Sequence, residues 1–296
     1  MASVQDLKRR VRSVRNTRKI TKAMELVAAA RLRRAQTRIE AMRPYADRMM
    51  ELMAGVARAS SSVRGLPLLQ RREVKTVAIV ALTGDRGLAG GFNAQILRSA
   101  FGLERRLRGE GKEVRWLVVG KKGGSTLRFR RYEVDRSFQG FTDRPEYADA
   151  QAVAHRLTEL YAEEQVDEVV VVYNHFESPL VQRVTQQKVL PIADEVLHAS
   201  DEERRQDAQR GDFIYEPEPE EILARLLPVY VETELYRALL ESSASEQGAR
   251  MTAMRNASKA AGELIDSLTL AMNRARQAEI TQEILEVVAG ADALTQ

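Results

Sequence analysis

The chain has 296 residues, 30% of them charged and only 5% aromatic, with 46 Lys/Arg against 42 Asp/Glu and no cysteine. That length admits one large core or two domains, and the missing cysteine excludes disulfides, thiol redox control and thiolate metal sites. No stretch reaches the apolar length of a membrane span, so the sequence reads as soluble or peripheral.

The net charge of +4 conceals an asymmetry. Residues 1–58 carry 15 Lys/Arg against 5 Asp/Glu, so the rest of the chain is acidic by six charges. One basic pole on an otherwise acidic protein bears on partners and not on fold.

Ser3, with Asp6 three residues on, has the spacing of a helix-opening capping box. Val4, Leu7, Val11 and Val14 then step by three and four, and after a polar interruption Ala35, Ile39, Met42, Ala46, Met49, Met53 and Val56 resume the alternation. Such steps place all these side chains on one narrow stripe, the seam of a coiled coil. Pro44 lies within the pattern and should bend the helix, which ends near Ala59, with Gly65 and Pro67 in a linker.

Val74 to Leu82 reads as a buried strand, followed by the glycine-rich turn Gly84 to Gly91 and a helix to about Arg108. Val114 to Val119 is a second strand and Gly120 to Gly124 a turn. After a poorly patterned stretch, Asp149, Val153, Leu157 and Tyr161 mark a helix. Val169 to Tyr173 reads as a strand and Leu180 to Leu190 as an edge strand. Strands alternating with helices imply a mainly parallel sheet. Residues 200–211 form a polar loop, and a short helix reaches Leu227. Pro228 starts the last helix, and Gly290 stands as its stop. Within that helix Met251, Met254, Ser258, Ala261, Ile265, Leu268, Met272 and Ala275 repeat the seam spacing. Each end would be about 80–90 Å long, too long to lie on one compact core. The expected architecture is α/β: a long coiled coil of the N- and C-terminal helices plus a central domain with a mainly parallel sheet. The expected divisions are 1–70, 71–224 and 225–296.

Candidate chemistry is sparse. Gly84, Gly87 and Gly90 are three apart and satisfy neither GxGxxG nor GxxxxGK[ST], so the turn reads as a strand-to-helix connection needing positive φ. His155, His175 and His198 lie far apart and lack metal-ligand spacing. No catalytic, cofactor or metal residues emerge. The basic first helix admits a nucleic-acid-binding coiled-coil protein as the alternative, although aromatic residues for base stacking are missing until Tyr45. A nucleotide-dependent enzyme on the α/β insert is a further alternative.

Two terminal stretches, VRSVRNTRKITKAMELVAAAR (Val11 to Arg31) and ITQEILEVVAGADA (Ile280 to Ala293), resemble the signature ends of the γ subunit of rotary F-type ATP synthases. Ser242 to Ile265, the turn TGDRGLAGGFN (Thr83 to Asn93), Arg43-Pro44-Tyr45 and Tyr215-Glu216-Pro217 are similar to further family segments. The sequence departs from the family at Thr83-Gly84, and at Ala89, where many members carry cysteine.

The resemblance implies a Rossmann-like central domain and a non-catalytic shaft, the long antiparallel coiled coil of the N- and C-terminal helices. That shaft stands inside a ring of α and β subunits, contacts ε and the membrane rotor ring of c subunits, and couples proton transport to ATP synthesis and hydrolysis. It implies that Met24, Arg250, Arg276, Gln277, Thr281 and Glu283 meet the β catch loops, with Tyr215 and Glu216 at the ε and rotor-ring foot. It implies no cofactor, no nucleic acid and no transmembrane segment. The expected location is the cytoplasmic face of a bacterial plasma membrane, as a peripheral protein. The lack of a separate presequence favours a bacterial source.

Overall fold

A computed structural model describes residues 3–60, 65–178, 181–193 and 216–295, with residues 291–295 as backbone. The order is α1 (Val4–Ala59), a 3-10 turn (Pro67–Leu69), β1 (Thr76–Leu82), α2 (Phe92–Gly109), β2 (Glu113–Val119), α3 (Lys121–Phe129), β3 (Val134–Phe138), α4 (Tyr147–Ala162), β4 (Glu168–Phe176), β5 (Gln182–Leu190) and α5 (Pro219–Thr295). The expected loop at 200–211, His198, Leu180 and Tyr215 lie outside the described residues. The chain divides into two compact units, residues 1–28 with 250–296, and residues 29–249. Both α1 and α5 contribute to each.

The first unit is an antiparallel helix pair. Ser3 opens α1 as expected: its hydroxyl accepts from the Asp6 N–H at 3.2 Å and donates to the Asp6 carboxylate. Glu25 bonds Arg255 at 3.1 Å, while the Arg18 guanidinium borders Gly262. One partner's number rises as the other's falls, which fixes the direction. Leu7, Val11, Thr21, Glu25 and Ala28 are buried on one helix; Met251, Met254, Ala261 and Ile265 are buried on the other. The three-four spacing continues through the buried Thr21 and Glu25, with the exposed Arg18 at the seam position before them. The interruption in the sequence is one of chemistry, not of register. The Thr21 hydroxyl donates to its own helix at the Arg18 carbonyl (3.0 Å), and Glu25 is neutralised by Lys22 at 3.0 Å and by Arg255, so burial leaves neither group unsatisfied.

The second unit holds a five-stranded sheet in the order β3-β2-β1-β4-β5. The first three pairings met in chain order, β1 with β2, β1 with β4 and β2 with β3, are parallel, and β4–β5 is antiparallel, so β5 is an edge. β1 is buried at six of its seven residues, as a central strand covered on both faces must be. On one face α2 and Leu127 of α3 cover Val77, Ile79, Trp116 and Val172. On the other, α4 packs with Met49 and Met53 of α1 and Leu227, Val231 and Leu235 of α5.

Four local expectations fail. Gly120 to Gly124 is the head of α3, not a turn, and the poorly patterned stretch contains β3. Pro228 lies inside α5, which starts nine residues earlier at Pro219 and continues through Gly290 to Thr295. A proline in a helix frees the carbonyl four residues before it. For Pro228 and Pro44 those residues, Ala224 and Glu40, are exposed, so water can satisfy the freed carbonyls.

Candidate functional site

In an open α/β sheet the crevice that receives ligands lies beyond the carboxyl ends of the strands, where the strand order reverses. Here that point falls between β1 and β4. It is filled by the chain itself. Glu241 to Gln247 of α5 (Glu-Ser-Ser-Ala-Ser-Glu-Gln) are all buried. The Ser245 hydroxyl donates to the Asn174 carbonyl at 3.0 Å and that of Ser242 to the Leu82 carbonyl at 3.4 Å, gripping the ends of β4 and β1. The Glu246 carboxylate lies so close to Gly84 that a Cβ there would meet it at 2.7 Å. A Cβ at 84 would therefore force the Glu246 carboxylate aside, whereas the backbone at this glycine makes no demand for positive φ. Of the three glycines only Gly90 has positive φ (56°), and Leu88 shares the left-handed region (62°).

The glycine-rich turn also supplies its own anion. Asp85 Oδ1 accepts the Lys121 N–H at 2.9 Å, while Oδ2 accepts the N–H groups of Gly140 (2.9 Å) and Thr142 (3.2 Å) and the Thr142 hydroxyl (3.0 Å). The next two amides of α3 are also taken, Lys122 N–H by the Gly84 carbonyl and Gly123 N–H by the Thr83 hydroxyl. A helix N-terminus ordinarily offers these donors to phosphate. Here they serve Thr83, Gly84 and Asp85.

Beyond the occupied crevice and turn, the long helices carry the next exposed features. Extrapolating the register of Glu25–Arg255 and Arg18–Gly262 sets Val4 opposite Arg276, so α5 outruns its partner by on the order of 30 Å. Residues 276–290 are exposed throughout, and Ile280, Ile284, Leu285, Val287 and Val288 are 48–72% exposed. On α1, Ile20, Leu26 and Val27 are likewise exposed, at 53–61%. Apolar surface of this extent marks a contact with another protein or a membrane. No helix among the described residues is long and apolar enough to cross a membrane.

The sequence-derived contact residues fall into two groups. Met24 is half-buried and Arg250 buried. Arg276, Gln277, Thr281 and Glu283 are exposed, about 30 Å further along the pair from Met24 by helical rise. The Thr281 hydroxyl donates back to the Gln277 carbonyl at 2.9 Å. Glu216 is exposed, two residues before the helix-leading Glu218. Of the histidines, His155 is exposed on α4, and His175 Nδ1 lies 2.6 Å from buried Glu241.

Sequence reasoning missed Asp85, Asp143 and Glu246 as organisers of this region. Asp143 joins Arg31, Arg86 and Gln247. The available signal was the run Glu241 to Gln247, too polar all round for a surface-lying helix to bury unless a polar cleft receives it. A second basic region also went unnoticed: residues 92–136 hold 12 Lys/Arg against 5 Asp/Glu. Arg98, Arg105, Lys122 and Arg130 line one groove between α2 and α3.

A family model described as ATP synthase matches residues 3–294. The chain is 48% identical to the ATP synthase gamma chain of Moorella thermoacetica, over 99% of this chain and 100% of that one. It is 46% identical to that of Rubrobacter xylanophilus, over 99% of both. Among solved structures it is similar to a chain of the Tetrahymena thermophila mitochondrial ATP synthase central stalk and c-ring, with a TM-score of 0.59 and 30% identity, covering 81% of this chain and 99% of that one. A chain of the Euglena gracilis mitochondrial ATP synthase, 16% identical, shares the fold with a TM-score of 0.69 over 98% of this chain and 94% of that one.

Proposed function

The chain belongs to the ATP synthase gamma-chain family, and from that premise we propose that it is the central rotor shaft of an F-type ATP synthase. It transmits rotation between the proton-driven membrane ring and the β catalytic sites. The observation that carries this reading is the unpaired, apolar end of α5 beyond an antiparallel pair made from the chain's own ends. A shaft must offer different faces to chemically identical ring subunits, because only differential contact shifts a conformational equilibrium. One helix continuing alone past a two-helix pair is asymmetric about its axis, as that role requires. The filled crevice fits a subunit whose work is mechanical.

Within the reading, Arg276, Gln277, Thr281 and Glu283 meet the β catch loops on the exposed end of α5, and Met24 and Arg250 meet them nearer the second unit. Glu216, with Tyr215, belongs to the foot that contacts ε and the ring of c subunits. The complex holds the chain peripherally at the cytoplasmic face of a bacterial plasma membrane. The test is assembly from purified subunits: chain, α, β and ε are mixed, and the complex is isolated by size. The expected product contains one copy of the chain per ATP-hydrolysing ring. A chain that stays free of the ring and is instead retained on RNA in a salt-dependent way would restore the nucleic-acid reading.

A further inference from the structure

This inference rests on the rotor reading. A rotor must carry torque across the joints between its sheet domain and each of its two helices. Apolar packing holds surfaces together without direction, so it resists separation better than rotation or sliding. Hydrogen bonds have narrow angular tolerance, and charge-assisted ones are about twice as strong as neutral ones. Polar contacts that reach both helices from one rigid point are therefore where twist is resisted.

Asp143, in the loop between β3 and α4, is such a point. Its Oδ2 accepts from Arg31 Nη1 on α1 at 2.9 Å and pairs with Arg86 Nη1 of the glycine-rich turn at 3.2 Å. Its Oδ1 accepts from Gln247 Nε2 on α5 at 3.3 Å, and its carbonyl accepts from the Ser243 hydroxyl at 3.3 Å. The carboxylate is 23% exposed, so solvent screens it only in part.

The loop behind it is fixed to the sheet. The neighbouring Thr142, itself buried, gives its N–H and hydroxyl to Asp85 and receives the Asp85 N–H at 2.8 Å. Asp85 in turn holds the head of α3. A continuous polar path thus runs from the end of β1 through Asp85, Thr142 and Asp143 to α1 and α5 at one level. We propose that Asp143 is the torque clamp of this chain: the positioning residue that locks both helices rotationally to the sheet domain, so that turning the domain turns the shaft without slip.

The test uses the assembled membrane complex carrying Asp143→Asn, Asp143→Ala or Asp143→Glu. Three quantities are read: ATP hydrolysis, protons pumped per ATP hydrolysed, and the angular fluctuation of a probe on the sheet domain while the ring is immobilised. For Asp143→Ala we expect hydrolysis within about twofold of the parent, a pumping ratio lowered by about threefold, and broader angular fluctuation. Asp143→Asn should fall between Ala and the parent, and Asp143→Glu should restore most of the ratio. Parental pumping and fluctuation in Asp143→Ala overturn the clamp while leaving the rotor reading intact. Loss of pumping that merely tracks a lowered melting temperature, with no recovery in Asp143→Glu, reduces Asp143 to a folding residue and also overturns it. A parent chain that forms no coupled complex overturns the rotor reading itself.

Discussion

Two residues set the local limits of the molecule. Gly120 opens α3 at φ 92°, and a Cβ on it would sit 2.1 Å from the Thr83 carbonyl oxygen, a backbone atom that cannot swing aside. Gly120→Ala therefore meets both a disfavoured conformation and a fixed clash. We expect a loss of at least about 3 kcal/mol, read as a melting temperature lower by about 6–12 °C for a unit of this size; an unchanged melt would refute the tight docking of α3 on Thr83. Glu25 tests the helix pair. Its hydrogen bond from Lys22, then that from Arg255, holds its carboxyl below the ordinary value of 4.5. A carboxylate whose pKa is lower folded than unfolded stabilises the fold above the unfolded value and loses that contribution as pH falls through the folded one. Melting temperature should thus drop as pH is lowered below about 4.5, and Glu25→Gln should flatten that part of the profile. Parallel profiles for parent and variant would remove Glu25 from the seam's stability.

At the scale of elements, the seam was legible because its spacing is geometric: steps of three and four need only apolar residues at most positions. The central strands were legible for the same reason, being continuous β-branched runs. What could not be read was α3, whose Gly-Lys-Lys-Gly-Gly opening has a turn's composition. Its helicity comes from three amides satisfied by Thr83, Gly84 and Asp85, a tertiary contact no local propensity encodes. The same applies to β3, which gains strand geometry by pairing with β2 while its own residues are mostly exposed. The contact residues on α5 came from family likeness alone, since an exposed Arg276 or Gln277 has no periodic signature. The Asp85 element yields a prediction of its own. Asp85→Ala removes the acceptor of three N–H groups and one hydroxyl, costing about 2–4 kcal/mol, and leaves an anion-sized vacancy at the head of α3. Phosphate should then raise the variant's melting temperature more than the parent's. Equal responses would mean the amides collapse onto another partner.

The unpaired end of α5 separates folding from function within the same chain. Residues 281–290 have exposed side chains, and among the described residues no part of α1 lies opposite them, so deleting the helix from Thr281 removes little buried surface. Truncation before Thr281 should leave the melting temperature of the isolated chain within about 2 °C, as expected where no core contact is lost, and should lower ATP synthesis by the membrane complex well beyond that. Unchanged synthesis would exclude the end from coupling, whereas a matching collapse of the isolated chain would make it a folding element.

Taken as a whole, the molecule concentrates charge on the parts that must find partners. Residues 1–58 carry 15 Lys/Arg against 5 Asp/Glu, and most of these basic side chains in the first unit are exposed: Lys8, Arg9, Arg10, Arg12, Arg15, Arg18, Lys19 and Lys22. Residues 229–292 have 6 Lys/Arg against 10 Asp/Glu, yet in the first unit the ion pair of Glu25 with Arg255 joins an acid on the basic helix to a base on the acidic one, while the basic side chains named above stay exposed. The basic charge of the first unit is therefore presented to solvent. A field of this size acts on encounter more than on final affinity. The Debye length shrinks from about 10 Å at 0.1 M salt to about 3 Å at 1 M, so the rate at which the chain enters a ring of α and β subunits should fall by about tenfold or more between 50 mM and 500 mM salt. Dissociation should change far less, because the apolar end formed by Ile280, Ile284, Leu285, Val287 and Val288 is not screened by ions. Stopped-flow assembly at a series of salt concentrations measures both. A salt-independent association rate would mean that the basic pole faces solvent in the complex and does not steer the encounter.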